Sequence, residues 1–290
     1  MPTSKKKIST TEALTVPFGP VDLSSFDTRA DPDLAWDKKK GKAALAAMGE
    51  ELADLQERLF AEGVSGGRRR VLLVLQGMDT SGKGGIMRHS LALVDPQGLH
   101  IKAFKAPTRT ELRHDFLWRV ERELPKPGII GVFDRSHYED VLVARVRKLV
   151  TRREVTRRYK AINELEKRIA DDGTVVLKCM LHISAEEQKE RLLARLDDPQ
   201  KRWKFNPGDV DERRLWPDYQ EAYELAIEKT NTEHAPWLVV PSDRKWYRDL
   251  AVATVLRETL QSMDPGWPGP EYDVEEQRRR LLEEQPLPER

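Results

Sequence analysis

The sequence predicts an α/β fold in which a parallel sheet is covered by helices on both faces. Short apolar runs, such as residues 71–75 and 129–133, are typical of strands that are buried on both faces. Stretches with apolar residues three and four positions apart, typical of amphipathic helices, lie between these runs. Strands that alternate with helices form βαβ units, whose strands are parallel.

The first elements surround a glycine-rich loop. Residues 1–35 are rich in Ser, Thr, Pro and Asp without sustained periodicity, so we expect an N-terminal arm. Residues 37–60 are predicted to form a helix because their leucines recur at spacings of three and four. Glycines within 63–67 end this helix and lead into the strand at 71–75. The elements that follow are a helix at 84–94, a strand at 100–104, a helix at 110–123 and a strand at 129–133.

The second half of the chain continues this alternation. Ser184 begins the capping box Ser-Ala-Glu-Glu, which predicts a helix that ends near residue 196. Residues 265–290 are Pro-rich and then strongly charged, so we expect a C-terminal tail after one domain at 36–264. The remaining predicted elements are helices at 137–149 and 153–171, a strand at 174–181, a helix at 212–230, a strand at 237–240 and a helix at 243–262.

Composition excludes several classes of protein. No apolar run approaches the roughly 20 residues of a membrane span, and the N-terminus lacks the apolar region of a secretory signal. A single cysteine, Cys179, cannot form an internal disulfide, and no Cys/His cluster has zinc spacing. We therefore expect a cytoplasmic protein with no membrane partner. The formal net charge of +1 provides no overall field that would attract nucleic acid.

A phosphate-binding loop follows the first strand. Gly77, Gly82 and Lys83 match the Gly-x4-Gly-Lys pattern between a predicted strand and a predicted helix. Glycines allow backbone N–H groups to face one anion, the helix N-terminus adds its dipole, and the lysine adds a mobile charge. We expect phosphate contacts here also from Gly84 and Arg88. The alternative is a glycine turn with an incidental lysine.

The loop departs from the usual pattern at two positions. Gly84 stands where a hydroxyl residue would ordinarily bind Mg²⁺, and the carboxylate of Asp79 lies inside the loop. A carboxylate in an anion-binding loop is costly unless a cation or a proton lies beside it. We therefore expect Asp79 to be a metal ligand or a base toward the attacking oxygen. The alternative is that Asp79 only stabilises the turn.

A second carboxylate follows the strand at 129–133. Ligands of parallel α/β sheets gather at the carboxyl ends of the strands, where Asp134 and Arg135 stand. The pair predicts a metal ligand followed by a phosphate clamp. The alternative is that Asp134 caps a helix that starts near Ser136. His137 has no assigned role.

Positive charge is concentrated in two segments. Residues 145–160 hold eight Lys and Arg and one acid, and Lys201, Arg202 and Lys204 form the second group. Such a concentration suits a linear polyanion or nucleic acid. Trp203 and Phe205 could stack on bases, but we expect a core or lid-anchoring role for them. The stretch 198–235, between the last two strands, corresponds to the lid of a kinase that excludes water.

These motifs together resemble the type-2 polyphosphate kinases over about residues 36–260. The resemblance implies a three-layer α/β/α P-loop kinase fold similar to thymidylate kinase, with a parallel five-stranded sheet and a helical lid. It also implies a homo-oligomer, a dimer or a tetramer. The segments that carry the resemblance are Gly77-Met-Asp-Thr-Ser-Gly-Lys-Gly-Gly85, Lys105-Ala-Pro-Thr108, Phe116-Leu-Trp-Arg119, Phe133-Asp-Arg-Ser-His-Tyr-Glu-Asp140, Lys201-Arg-Trp-Lys-Phe205 and 216–223.

The resemblance implies a reversible, Mg²⁺-dependent transfer of the terminal phosphoryl group of polyphosphate to nucleoside phosphates, with Mn²⁺ as a substitute metal. The acceptors would be adenine nucleotides, with guanine nucleotides as further candidates, and no specific nucleic acid would bind. The segment Ser136-His-Tyr-Glu-Asp140 differs from members that use diphosphates and is similar to the third class, which accepts both AMP and ADP. By position, the resemblance implies that the catalytic residues are Asp79, Lys83, Arg119, Asp134 and Arg135, and that Asp79 and Asp134 are also the metal ligands. It implies that polyphosphate is bound by Lys201, Arg202 and Lys204. It implies that the nucleotide is bound by Lys105 and Glu139.

Two other functions remain open at this stage. A nucleotide or small-molecule kinase that uses ATP as donor would have the same fold. A non-catalytic P-loop protein that binds polyanions or RNA would share the basic segments but would show no turnover.

Overall fold

The sheet has five parallel strands, as the sequence predicts. A computed structural model of the chain describes residues 8–31 and 36–284. The strand order is β2-β3-β1-β4-β5, which confirms the α/β class. The strands are β1 (Arg70–Gln76), β2 (Leu99–Ala103), β3 (Ile130–Asp134), β4 (Thr174–His182) and β5 (Trp237–Pro241).

The strand order brings the two predicted acidic positions together. β1 is central and pairs with β3 on one side and with β4 on the other. Leu75, near the end of β1, is in register with Asp134, the last residue of β3. The glycine-rich loop after β1 therefore lies beside the carboxyl end of β3, at the edge of the sheet where ligands bind.

Helices cover both faces of the sheet. Leu72 and Val74 of β1 pack against α7 and α10, whereas Leu73 and Leu75 pack against α3, α4 and α11 on the other face. This alternation produces three layers. The helices are α1 (Thr10–Leu14), α2 (Lys38–Ala47), α3 (Gly49–Val64), α4 (Lys83–His89), α5 (Trp118–Glu121), α6 (Val143–Val146), α7 (Arg152–Asp171), α8 (Ala185–Asp197), α9 (Gly208–Arg214), α10 (Trp216–Thr230), α11 (Lys245–Met263) and α12 (Val274–Glu283).

Four predicted helices are wrong in extent. The helix at 84–94 ends at His89 and is followed by a 3₁₀ turn at Leu91–Leu93. The helix at 37–60 is two helices, α2 and α3, that meet at Met48. The helix at 212–230 is interrupted at Leu215, and α10 begins there with Pro217 in its first turn, a position that proline tolerates because it needs no hydrogen-bond donor. Residues 137–149 form a 3₁₀ turn and the short helix α6.

The predicted helix at 110–123 is largely absent. Only a 3₁₀ turn at Glu111–Arg113 and the single turn α5 form there. The carboxylate of Asp115 accepts a hydrogen bond from Leu117 N at 3.0 Å, a local bond that competes with helix formation. Leu112, an apolar residue within this stretch, is 68% exposed.

The described part of the N-terminal arm covers an edge of the sheet. Val16 N donates to the carbonyl of Trp237 at 2.9 Å, and Thr15 forms an antiparallel bridge with Leu238 of β5. Leu14, Val16 and Leu23 are buried. This contact protects an edge strand that would otherwise offer unpaired backbone groups. Within the described residues, no helix is long and apolar enough to cross a membrane.

Candidate active site

The glycine-rich loop has backbone conformations that require glycine. Gly77 and Gly82 have φ angles of 150° and 115°. A Cβ on Gly82 would lie 1.7 Å from the guanidinium of Arg248. Glycine is therefore needed at position 82 both for its conformation and for the close approach of that arginine. The loop ends where α4 begins, at Lys83, as the phosphate-loop prediction requires.

Lys83 lies beneath the loop. Its Nζ donates to the carbonyl oxygens of Gly77 at 2.8 Å and Met78 at 3.5 Å. Burial lowers the pKa of this ammonium, Arg135 lowers it further, and the carboxylates of Asp79, Asp134 and Glu139 partly offset both effects. Because its contacts are to neutral carbonyls, a bound phosphate would supply the anion that this buried charge lacks.

Asp79 and Arg135 form an ion pair across the loop. Arg135 Nη2 lies 2.7 Å from Asp79 Oδ1, and its Nη1 lies 3.9 Å from Glu139 Oε2. Burial would lower the pKa of Arg135, but Glu139 and Asp79 outweigh burial and raise it. Arg135 and Thr80 have positive φ angles of 62° and 64°, a strained conformation for residues other than glycine that concentrates at functional sites.

Asp134 is half-buried at the end of β3. It does not cap the following turn, because Ser136 Oγ accepts the hydrogen bond from Tyr138 N at 3.1 Å. Within the described residues no group of three acidic, His or Cys side chains could hold a metal alone. Mg²⁺ commonly uses one or two carboxylates together with substrate phosphates and water. Asp134 and Asp79 fit that kind of site.

Arg119 contacts Lys105, one of the two predicted nucleotide-binding residues, and Asp140, the residue after the other. Arg119 is buried, and it donates to the carbonyl of Lys105 at 2.8 Å and to Asp140 Oδ2 at 2.9 Å. The Lys105 side chain is exposed, whereas Glu139 is half-buried. Burial, together with Asp79, raises the pKa of Glu139, and Arg135 and Lys83 oppose that rise. Arg119 therefore holds the loop after β2 through the carbonyl of Lys105.

The lid encloses a cavity of about 560 Å³ above the phosphate loop. Asp209 of α9 and Asp79 of the loop both line this cavity, so the lid faces the loop. Burial and the nearby carboxylate of Asp79 raise the pKa of Asp209. The side of the sheet contributes Gly77, Asp79, Arg135 and Glu139, and the side of the lid contributes Asn206, Asp209, Tyr219 and Tyr223.

The basic residues at the start of the lid lie on the surface. Lys201 pairs with Asp198 at 2.5 Å, and the Lys204 ammonium lies 5.1 Å from the centre of the Trp203 ring. Trp203 is 78% exposed, so the expected core or anchoring role is wrong for this residue. Arg202 Nε donates to the carbonyl of Leu196. Gly84 and Arg88 are also exposed, at the start of α4 and one turn beyond it.

The basic segment 145–160 is paired in part. Four of its six arginines form ion pairs with acids that mostly belong to other elements, which the local count of one acid does not reveal. Lys148, Arg152 and Arg153, in contrast, are exposed and have no ion-pair partner among the described residues. The pairs are Arg145 with Glu221, Arg147 with Glu212, Arg157 with Asp115 and Glu154, and Arg158 with Asp140 and Glu154.

Two arginines that the sequence motifs did not indicate hold the loop in place. Arg191 of α8 donates to the carbonyls of Thr80 at 2.9 Å and Ser81 at 3.1 Å. Arg248 of α11 donates to the carbonyl of Ser81 at 3.2 Å. Each lies within a helix of mixed charge, where a buried arginine has no distinguishing sequence pattern. These contacts hold the part of the phosphate loop that contains Thr80 and Ser81.

Comparisons with known proteins agree on one family. The sequence model described as Polyphosphate kinase 2 (PPK2) matches residues 35–267. An AMP/ADP-polyphosphate phosphotransferase of Meiothermus ruber is 46% identical over 88% of this chain and 94% of its own. An ADP-polyphosphate phosphotransferase of Rhodopseudomonas palustris is 41% identical over 86% and 88%. The crystal structure of polyphosphate kinase 2 from Arthrobacter aurescens TC1 superposes with a TM-score of 0.92, at 50% identity over 95% and 97%.

Proposed function

The chain belongs to the polyphosphate kinase 2 family, and we propose that it transfers the terminal phosphoryl group of inorganic polyphosphate to nucleoside mono- and diphosphates. AMP would become ADP, and ADP would become ATP. The observation that carries the proposal is the phosphate loop with Lys83 beneath it and Asp79 and Arg135 paired at 2.7 Å beside the end of β3. The family match at 35–267 includes all of these residues.

The residues present can perform this transfer without a covalent intermediate. Loose phosphoryl-transfer transition states are stabilised mainly by positioning and electrostatics. The N–H groups of the loop and Lys83 would hold the donor phosphates, and Arg135 would neutralise charge on the transferred group. An acceptor phosphate is already ionised at neutral pH, so it needs no strong base. The same contacts would serve the reverse reaction.

Asp134 and Asp79 are the residues that would hold Mg²⁺, with Mn²⁺ as a substitute. When bound, the ion would neutralise and orient the phosphates of donor and acceptor. Arg135 now neutralises Asp79 at 2.7 Å. Movement of that guanidinium toward a phosphate would free the Asp79 carboxylate for the metal.

The acceptor nucleotide would enter between the sheet and the lid. Glu139 lines that cavity, and Lys105 lies on the loop after β2 that Arg119 supports. We propose adenine nucleotides as acceptors and guanine nucleotides as further candidates. Lys201, Arg202, Lys204 and Arg88 would contact polyphosphate, and no specific nucleic acid would bind. A cytoplasmic location and a dimer or tetramer also belong to this proposal.

The decisive assay supplies polyphosphate and Mg²⁺ as the only other reactants. With AMP, ADP, GMP and GDP in separate reactions, we expect ADP from AMP and ATP from ADP, measured by chromatography of the products. The Lys83→Met variant, which lacks the phosphate-loop charge, is expected to lose activity by about a hundredfold or more.

The same assay separates the two other functions. A kinase that uses ATP would make no ATP from ADP and polyphosphate but would phosphorylate an acceptor when ATP is added. A non-catalytic polyanion-binding or RNA-binding protein would bind polyphosphate with a steep dependence on salt and form no product. Either result would contradict the proposal.

Arg119→Lys is expected to raise the KM for ADP about tenfold, which corresponds to about 1.4 kcal/mol. Lysine keeps the charge but has a single donor nitrogen, whereas Arg119 reaches the Lys105 carbonyl and Asp140 from the two separate nitrogens of its planar group. Arg122→Lys, an exposed position that stacks on Trp118, is the control. A lower melting temperature with an unchanged KM would show that Arg119 has only a structural role.

A further inference from the structure

Gln188 of α8 joins the phosphate loop to the lid. Its Nε2 donates to the backbone carbonyl of Asp79 at 3.0 Å, and its Oε1 accepts a hydrogen bond from Arg213 Nη1 of α9 at 2.6 Å. The residue is 2% exposed and lines the lid cavity. One side chain therefore contacts both the residue that we expect to bind the metal and the helix that covers the site.

The two partners fix the orientation of the Gln188 amide. A guanidinium can only donate hydrogen bonds, whereas a backbone carbonyl can only accept them. The amide oxygen must therefore face Arg213, and the amide nitrogen must face Asp79. A carboxylate at position 188 would lose the donor, and an apolar side chain would lose the donor and the acceptor. The connection between loop and lid thus depends on a side chain that has both groups.

α8 holds three consecutive carbonyls of the phosphate loop. Gln188 binds the carbonyl of Asp79, and Arg191, one turn further along the helix, binds those of Thr80 at 2.9 Å and Ser81 at 3.1 Å. The Gln188 contact holds the peptide unit that joins Asp79 to Thr80, and the φ angle of Thr80 is 64°. Because this conformation is strained for a residue other than glycine, it persists only where its surroundings hold it.

Arg213 provides the contact of α9 with α8. Its Nη1 also donates to the carbonyl of Ala185 at 2.9 Å. Within the described residues, 8–31 and 36–284, it has no ion-pair partner, so its charge bonds to neutral oxygens there. A guanidinium bonded to neutral oxygens is held less strongly than one bonded to a carboxylate. Such a contact suits a lid that has to open whenever a substrate enters or a product leaves.

We propose that Gln188 is a positioning residue that makes the alignment of Asp79 depend on the docking of α9. The inference rests on the proposed function and adds to it the control of the loop by the lid. With Arg213 in place, the amide nitrogen of Gln188 is held toward Asp79. When α9 moves away, the buried amide oxygen loses its partner, which is unfavourable until the side chain turns to another donor. The loop would then be aligned for transfer only while the lid excludes water.

Loss of the phosphoryl group to water is the reaction that this connection would suppress. In the transfer, the terminal phosphorus separates from its bridging oxygen, which keeps the electron pair, and bonds to an oxygen of the acceptor phosphate. In hydrolysis, water takes the place of the acceptor, so that orthophosphate and a chain shorter by one unit form and a proton passes to the solvent. The ratio of orthophosphate to ATP therefore measures the connection, and a role in stability alone does not change it.

The test measures kcat for ATP formation from ADP and polyphosphate, together with the release of orthophosphate, in Gln188→Met, Arg213→Met and the double variant. Methionine is similar in length to glutamine but lacks the amide. Lys189→Met and Arg214→Met are the matched controls, because these exposed residues come next in α8 and α9. The melting temperature of every variant is measured as well.

We expect each single variant to lower kcat about tenfold, or about 1.4 kcal/mol, and to raise the ratio of orthophosphate to ATP. The double variant should be no slower than the single variants, because both residues belong to one chain of contacts, and the controls should match the unmodified protein. Independent effects, which would lower kcat about a hundredfold in the double variant, would overturn the inference. An unchanged ratio would overturn it too, and a lower melting temperature would then indicate a structural role. Failure of the proposed function would differ, because the unmodified protein would then form no ATP.

Discussion

Asp79→Asn is expected to lower kcat for ATP formation from ADP and polyphosphate by about a thousandfold. Asparagine has the shape of aspartate and still stabilises turns through its side chain, so the loop should keep its conformation. The substitution removes the charge that pairs with Arg135 at 2.7 Å and that would otherwise bind the metal. A large loss of rate with an unchanged melting temperature would therefore assign the effect to the charge.

The dependence on Mg²⁺ separates the two roles that remain for Asp79. If the carboxylate binds the metal, the residual activity of Asp79→Asn should need more Mg²⁺ to reach half its maximum. If the carboxylate is a base, that requirement should stay the same. Mn²⁺ in place of Mg²⁺ gives a second test of the metal role, because it accepts the same oxygen ligands.

Asp171→Asn provides the matched control. Asp171 is an exposed residue at the end of α7, where it pairs with Lys167 at 2.8 Å, at the edge of the sheet opposite the site. The same loss of one carboxylate there should leave kcat unchanged. Retention of most activity in Asp79→Asn would show that this residue stabilises the turn and no more.

The parts of this site that were predictable are those with a local signal. The Gly-x4-Gly-Lys pattern and the apolar runs at 71–75 and 129–133 each span only a few residues. The structure that each of them forms depends mainly on the local backbone. The parallel arrangement then places Asp134 beside the loop, because neighbouring strands end at the same edge. Motif and topology together were enough to locate the loop and its acidic residues.

The remaining features depend on contacts between distant segments. Arg248 approaches Gly82 from more than 160 residues away in sequence, as its contact with Ser81 shows. The arginines of 145–160 likewise find partners such as Glu221 and Glu212 only after folding. A composition count cannot distinguish such paired arginines from free ones, so the number of cations that this segment offers to a polyanion could not be predicted from the sequence.

A buried polar network lies directly under the turn that carries Arg135. Lys178 of β4 and Glu166 of α7 are fully buried and pair at 2.7 Å. Lys178 Nζ also donates to the carbonyl of Thr230 at 2.6 Å and to Tyr138 Oη at 3.1 Å. The ammonium thus uses all three donors. The network joins β4 and α7 both to the turn after Asp134 and to the end of α10, where the lid returns to the core.

The ionisation of Glu166 makes the free energy of unfolding depend on pH in one direction. Burial would raise the pKa of Glu166, but the attraction of Lys178 and the hydrogen bonds from His137 and Lys178 outweigh it, so the pKa lies below 4.5. A lowered pKa of an acid contributes stability at pH values above the unfolded value, and this contribution disappears as the pH falls through the folded value. Glu166→Gln should therefore lose stability less steeply than the unmodified protein on acidification from pH 5.

Lys178→Met is expected to lower the free energy of unfolding by about 3–5 kcal/mol, because it leaves the Glu166 carboxylate buried without its partner. Urea unfolding at a fixed protein concentration measures this value. Lys167→Met, which breaks an exposed pair with Asp171 on the same helix as Glu166, should cost less than about 1 kcal/mol. The double variant Lys178→Met/Glu166→Leu should be more stable than Lys178→Met, since it removes the unpaired charge as well. Equal costs for Lys178→Met and Lys167→Met would mean that water or a proton already compensates the buried carboxylate, and the pair would then contribute little to the stability of this turn.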